Sequence, residues 1–174
     1  KMDEPELIQS AQRGDVDAFN RLVLEYQDMA FNVAYRILSD QFGADDATQT
    51  AFISAFHNIK QYHGGSFRAW ILRIVTNSCY DELRRQKRQP TTALEPVDPD
   101  GEEVDSPHWL KDKNPSPQEY AEAADLEQAI QDCLNGLPDE FKSMIVLVDI
   151  QGLDYEETSQ ALKTPLGTIK SRLA

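Results

Sequence analysis

From Phe19 to Leu38 the apolar residues of this chain recur three and four positions apart: Phe19, Leu22, Val23, Tyr26, Met29, Ala30, Val33, Ala34, Ile37 and Leu38. That spacing draws one continuous stripe down a long helix, whereas a strand would alternate apolar and polar positions. Gly14 and Gly43 bracket the stripe. A second segment, Ala44 to Ile59, sets Ala47, Ala51, Phe52, Ala55, Phe56 and Ile59 on one face, with Asp45 and Asp46 in its first turn, where the helix dipole favours acids. His63, Gly64 and Gly65 then break the chain, and a third segment runs from Ser66 to about Gln89, where Pro90 stops it. No strand pattern intervenes, so a small helical bundle is expected here.

Charge separates this bundle from the remainder of the chain. Residues 1–90 hold 11 basic and 12 acidic side chains, residues 91–136 hold 2 and 12, and residues 137–174 hold 4 and 6. The middle therefore carries minus 10 of the net charge of minus 13, six of the nine prolines fall between Pro90 and Pro117, and Gln89 to Pro117 shows no sustained apolar period. Such a stretch reads as an acidic, flexible linker. The expectation is an all-α protein of two small helical domains, 1–89 and 117–174, joined by a linker over 90–116.

The third segment carries a chemical signature besides its apolar one. At 100 degrees per residue, Arg73, Asn77, Asp81, Arg84 and Arg88 fall within an arc of about 80 degrees, while Ile71, Ile74, Val75, Ser78 and Cys79 occupy neighbouring and opposite faces. Arg84, Arg85, Lys87 and Arg88 crowd the last turns, as cations at any helix C-terminus would. A stripe of Arg and Asn continuing upstream also has the side chains and pitch that contact phosphates and base edges. Trp70 lies on the same arc, either as a core residue or as a surface on which an unstacked base can rest.

In the second domain, Asn135-Gly136 ends a helix that begins near Pro117, and Pro138, Asp139 and Glu140 open the next, with Phe141, Met144, Ile145, Leu147 and Val148 as its apolar face. Asp154 with Glu157 three residues on predicts a capping box. Ala161 and Leu162 face inward, Thr164 can cap the last helix, Pro165 starts it, and Ile169 and Leu173 repeat on its inner side. Two short helices joined by a tight turn, the second bearing Thr168, Lys170, Ser171 and Arg172 outward, describe a helix-turn-helix.

Little else competes. His57, His63 and His108 lack metal-ligand spacing, and no nucleophile elbow or phosphate-cradling glycine motif occurs, so neither an enzyme nor a cofactor or metal is expected. Cys79 and Cys133 lie far apart in apparent helices and are expected to be reduced and half-buried. The longest aliphatic run, Met144 to Val148, is far too short for a membrane span, and no basic-then-apolar leader opens the chain, so a cytoplasmic protein without membrane contact is expected.

Asp46-Ala-Thr-Gln49-Thr-Ala-Phe52, Phe67-Arg-Ala-Trp70-Ile-Leu-Arg-Ile-Val-Thr-Asn77 and Asp81-Glu-Leu-Arg84-Arg85, followed by Leu137-Pro-Asp-Glu-Phe, Tyr155-Glu-Glu-Thr-Ser-Gln-Ala-Leu and Gly167-Thr-Ile-Lys-Ser-Arg-Leu, resemble an extracytoplasmic-function (ECF) sigma factor of bacterial RNA polymerase, in the sigma-70 family. The likeness spans nearly the whole chain. It implies a transcription initiation factor that binds core RNA polymerase and promoter DNA and is held inactive by an anti-sigma factor. Asp45, Asp46 and Gln49 would dock on the clamp helices of the largest polymerase subunit. His63, Gly64, Gly65 and Ser66, with Trp70, Arg73, Asn77, Arg84, Arg85 and Arg88, would capture the melted minus-ten strand. Thr164, Thr168, Lys170, Ser171 and Arg172 would serve the minus-thirty-five duplex. The sequence departs from the family at Thr50, where an acid is common, and Ala174 stands before the usual arginine-rich turn, so weak duplex reading is expected. The competing reading is a helix-turn-helix regulator that acts without docking on polymerase.

Overall fold

The computed structural model describes residues 3–88 and 117–174, and the linker expected over 90–116 lies outside them. In chain order the helices are α1 (Glu4–Gln12), α2 (Val16–Leu38), α3 (Gln41–Asn58), α4 (Phe67–Arg88), α5 (Pro117–Asn135), α6 (Asp139–Ile145), α7 (Tyr155–Leu162) and α8 (Leu166–Leu173), and no strand occurs among the described residues.

The long apolar stripe forms the inner face of α2, where Ala30, Val33, Ala34 and Ile37 are sealed from solvent. Asp15 caps its start by accepting from the Ala18 amide at 3.1 Å. The helix does not run on to Gly43, because Ser39 adopts a left-handed conformation (φ 57°) and closes it. Asp40 then caps α3 by accepting from the Gly43 amide at 2.8 Å. Consequently α3 starts at Gln41, three residues earlier than its apolar pattern suggests, and Asp45 and Asp46 stand in its second turn rather than its first. Gly43 is buried inside the helix, where a Cβ would fall 2.7 Å from the capping Asp40 carboxylate.

On the inner face of α3, Ala44, Ala47, Ala51 and Ala55 let α2 and α4 approach closely. Phe67 at the head of α4 meets the rings of Tyr26, Tyr62 and Trp70 at 5.6, 5.2 and 5.4 Å, a tilted and edge-on cluster of the kind aromatic rings favour. The Gln12 amide ties α1 to this end of the bundle by donating to the Ile59 and Tyr62 carbonyls at 3.1 and 2.8 Å.

In the second domain, Met144, Val146, Leu147 and Ile169 are fully buried. Pro138 is the N-cap of α6 rather than its first helical residue, and α6 continues into a π-helical turn over Val146–Ile150. Phe141, expected on the inner face, is exposed instead.

The two domains pack against each other. Val146, Leu147, Leu153 and Ala161 join the same apolar core as the first bundle, and α7 lies along α4. At the C-terminal end of α2, the buried Arg36 guanidinium donates to Gln131 Oε1 at 3.2 Å and pairs with Glu127. The Gln131 amide returns to the Arg36 carbonyl at 3.2 Å, and the buried Lys142 ammonium reaches the Ile37 carbonyl at 3.3 Å. Farther along, the Tyr80 hydroxyl donates to Ser143 Oγ at 2.7 Å.

Burial sets two expected outcomes. Phe67→Ala should cost about 3–5 kcal/mol in chemical denaturation, as large aromatic truncations in a closed core do, whereas Leu24→Ser, at a residue 68% exposed, should stay within about 0.5 kcal/mol of the parent. The cysteines differ from the expectation of two half-buried thiols, since Cys79 is buried and Cys133 exposed. Burial pushes the Cys79 thiol up to about 12. A thiol reagent at mildly alkaline pH should therefore modify Cys133 in the native protein and reach Cys79 only after unfolding.

Candidate nucleic-acid interface

The loop before α4 owes its shape to glycine. Gly64 and Gly65 both hold positive-φ backbone (φ 100° and 93°), which side chains with a Cβ resist. The Tyr62 hydroxyl donates to the Gly65 carbonyl at 2.6 Å, and Ser66 Oγ accepts from the Ala69 amide at 3.1 Å, fixing the entry into α4. His63, Gly64 and Gly65 are exposed, while Trp70 is half-buried with its ring 5.6 Å from that of Tyr62. Trp70 thus serves the aromatic cluster and keeps part of its surface open beside the loop.

Down α4 the polar stripe stands apart from the core. Asn77 is exposed and Arg73 half-buried, and neither side chain has a partner among the described residues. Arg84 pairs with Asp81, Arg85 pairs with Glu82 at 2.8 Å, and Arg88 Nε donates to the Arg84 carbonyl at 3.3 Å. The Arg84–Asp81 pair is exposed on both sides, where such pairs are weak, whereas the Glu82 carboxylate of the other pair is largely covered.

Asp45, Asp46 and Gln49 are exposed on α3, whereas Phe52 is buried and Phe56 packs its ring 5.1 Å from that of Phe19. Phe42 (86% exposed) and Ile53 (61%) share the outer face with Asp46 and Gln49. Sequence reasoning passed over these two, although both fall out of phase with the inner stripe, which marks an apolar side chain facing outward.

The second domain contains the expected helix-turn-helix in α7 and α8, joined through Lys163 in a left-handed conformation (φ 49°). The capping box is present: Asp154 Oδ1 accepts from the Glu157 amide at 2.7 Å and Glu157 Oε2 from the Asp154 amide at 3.2 Å. Lys170 and Ser171 face outward on α8. Arg172 is held by Glu140 at 3.1 Å, and its guanidinium lies 5.3 Å over the ring of the exposed Phe141. Thr164 does not cap α8, since its hydroxyl donates back to the Leu162 carbonyl at 3.3 Å. With Thr168 and Arg172 it lines a cleft of about 440 Å³ that also meets Tyr80 of α4, so the outward set splits into Lys170 and Ser171 on one side and Thr164, Thr168 and Arg172 on the other.

Glu157 has a further partner set. Its Oε1 accepts from Ser66 Oγ at 2.7 Å and its Oε2 from Arg68 Nη2 at 2.6 Å, and Gln160, one turn on, faces Gly65. Arg68 is a candidate that the sequence pattern did not single out, because it leaves α4 far from the Arg73 to Arg88 stripe.

The family model for Sigma-70 region 2 matches residues 22–89 and that for Sigma-70, region 4 matches residues 127–174. The ECF RNA polymerase sigma factor SigE of Mycolicibacterium smegmatis is 35% identical over 90% of this chain, which spans 57% of that relative's length. The RNA polymerase sigma-H factor of Pseudomonas aeruginosa is 30% identical, with 98% of this chain and 88% of the relative covered. The ECF sigma factor SigW of Bacillus subtilis is 31% identical over 95% of this chain and 88% of its own length. Among solved structures, CnrH in complex with the cytosolic domain of CnrY superposes with a TM-score of 0.65 at 24% identity, covering 96% of this chain and 87% of that one. RpoE of Bartonella quintana, solved with the anti-sigma factor NepR, gives 0.62 at 21% identity, with 91% of each covered.

The Glu157 contact predicts a pH dependence. Burial raises its pKa, but hydrogen bonds from Arg68, Ser66 and the Asp154 amide outweigh burial and hold it below the ordinary 4.5. A depressed carboxyl pKa adds stability that is complete above the ordinary value and fades as pH falls through the depressed one. Melting temperatures of the parent and of Glu157→Gln should therefore differ at neutral pH and converge in acid.

Proposed function

Because the chain belongs to the ECF group of the sigma-70 family, we propose that it is a transcription initiation factor which binds core RNA polymerase and directs it to specific promoters. The observation that carries the reading is the order of its two parts: a region 2 match whose α4 bears the exposed Arg and Asn stripe, then a region 4 match that forms a helix-turn-helix. Asp45, Asp46 and Gln49 dock on the clamp helices of the largest subunit, with Phe42 and Ile53 adding apolar contact. The loop from His63 to Ser66, Trp70 and the stripe through Arg88 hold the melted minus-ten strand. Lys170 and Ser171 face the minus-thirty-five duplex, and Thr164, Thr168 and Arg172 reach it only when the cleft against Tyr80 opens.

The protein is not an enzyme in this reading; chemistry stays with the polymerase. An anti-sigma factor is a proposed partner, in line with the Bartonella relative solved in such a complex. No described helix is long and apolar enough to cross a membrane, and its place beside polymerase is the cytoplasm.

Run-off transcription with core enzyme, with and without this protein, tests the reading. Initiation should depend on both, whereas a regulator that needs no docking would footprint the promoter alone. Asn77→Ala and Arg84→Ala should each weaken promoter opening by about 1–3 kcal/mol, the worth of a base or phosphate contact. Their affinity for core enzyme should match the parent's, since neither lies on the Asp46 face of α3.

A further inference from the structure

We propose that Ser66 and Arg68 form a binding pair for a phosphodiester of the unpaired DNA strand, and that Glu157 of the second domain fills this pair while the two domains are closed. The proposal rests on the initiation-factor reading and adds to it a ligand pair and its internal competitor.

The geometry is that of anion recognition. A hydroxyl and a guanidinium each take a different oxygen of one carboxylate, at 2.7 and 2.6 Å. A phosphodiester likewise offers two non-bridging oxygens to paired donors, and guanidinium is the side chain best suited to that fork. Arg68 leaves α4 about 140 degrees away from the Arg73 to Arg88 stripe at 100 degrees per residue. Its head nevertheless returns to the start of the helix, because it shares one carboxylate with Ser66. The pair therefore sits directly after the glycine loop, at the end of α4 where the exposed His63, Gly64 and Gly65 stand.

Charge across the domain boundary points the same way. Among the described residues three ion pairs join the domains: Arg36 with Glu127, Arg68 with Glu157, and Lys87 with Asp139. In each, the first domain supplies the cation and the second the acid. The second domain thus sits on the first as an acidic ligand and takes donors that a nucleic acid would use. Closure and strand binding exclude one another at Ser66 and Arg68.

The test measures binding of the full chain to a fluorescein-labelled, mixed-sequence single-stranded oligonucleotide by anisotropy, for the parent, Glu157→Gln, Arg68→Gln and the double variant. Glutamine at 157 can still serve the capping box, so α7 keeps its start, and circular dichroism of each variant checks the fold. Glu157→Gln should bind at least about fivefold more tightly than the parent, the lower end of a typical coupling between sites. Arg68→Gln should abolish that gain, leaving the double variant equal to Arg68→Gln. Unchanged or unmeasurable binding by Glu157→Gln would overturn the proposal, and so would an equal gain in the Arg68→Gln background, which would mark mere loss of a negative charge. Inorganic phosphate, which offers the same oxygens, should compete for the Glu157→Gln gain only at concentrations far above the strand's own; displacement at concentrations comparable with the strand's would mark a free-anion site and overturn the strand assignment. Parent protein that supports run-off transcription while its variants ignore these substitutions would sink this pair alone, whereas absence of run-off would sink the initiation-factor reading.

Discussion

The last turn of α2 ends in carbonyls that the helix itself cannot satisfy, and the placement of the second domain depends on how they are met. Ser39, turned left-handed, donates its amide to the Tyr35 carbonyl. The next two carbonyls, of Arg36 and Ile37, accept from Gln131 and Lys142, both of which belong to the second domain. A helix end buried without partners would be costly, so the second domain is a structural complement to α2 as much as a neighbour. The cation of Lys142 also meets the negative end of the helix dipole, and Arg36 in the same turn reaches outward to Glu127 and Gln131.

A joint built this way differs from a purely apolar one. When it parts, Arg36, Lys142 and the exposed carbonyls can all be taken up by water, and the desolvation cost of holding two cations in a protein interior is recovered. The apolar contribution of Val146, Leu147, Leu153 and Ala161 favours closure, while the polar groups fix its geometry and lower the barrier to losing it. Separation into two independently oriented bodies is therefore compatible with the same contacts that hold them together.

Helix identity was legible because periodicity is local: the α2 stripe, the donor face of α4 and the capping box of Asp154 with Glu157 all lie within a few turns of chain. Boundaries were less so. Gly43 looks like a breaker by residue type, yet the stop is Ser39 and the start is Asp40, whose side chain reaches the amide three residues on. Asp40 followed by Gly43 held that information, hidden by the stronger prior on glycine. The outward-facing Phe141 finds its partner in Arg172, 31 positions later, whose guanidinium lies over its ring. Arg68 and the second use of Glu157 depend on a contact spanning 89 residues, which no window of sequence contains. Long-range polar pairs, rather than apolar faces, were where sequence reasoning ran out.

The alanine inner face of α3 has a consequence for how such a protein can change over time. Ala44, Ala47, Ala51 and Ala55 contribute methyl groups and little else to the interior, so along this stripe the helix is seated by backbone proximity and shape, beside the larger Phe52 and Phe56. Exchanges on the outer face, at Phe42, Asp46, Gln49, Thr50 or Ile53, meet solvent and disturb no interior packing. Mutational drift in what the helix offers to a partner is thereby uncoupled from selection for folding, and duplicated copies of one ancestral bundle could diverge in affinity for a shared partner while each remained a competent fold.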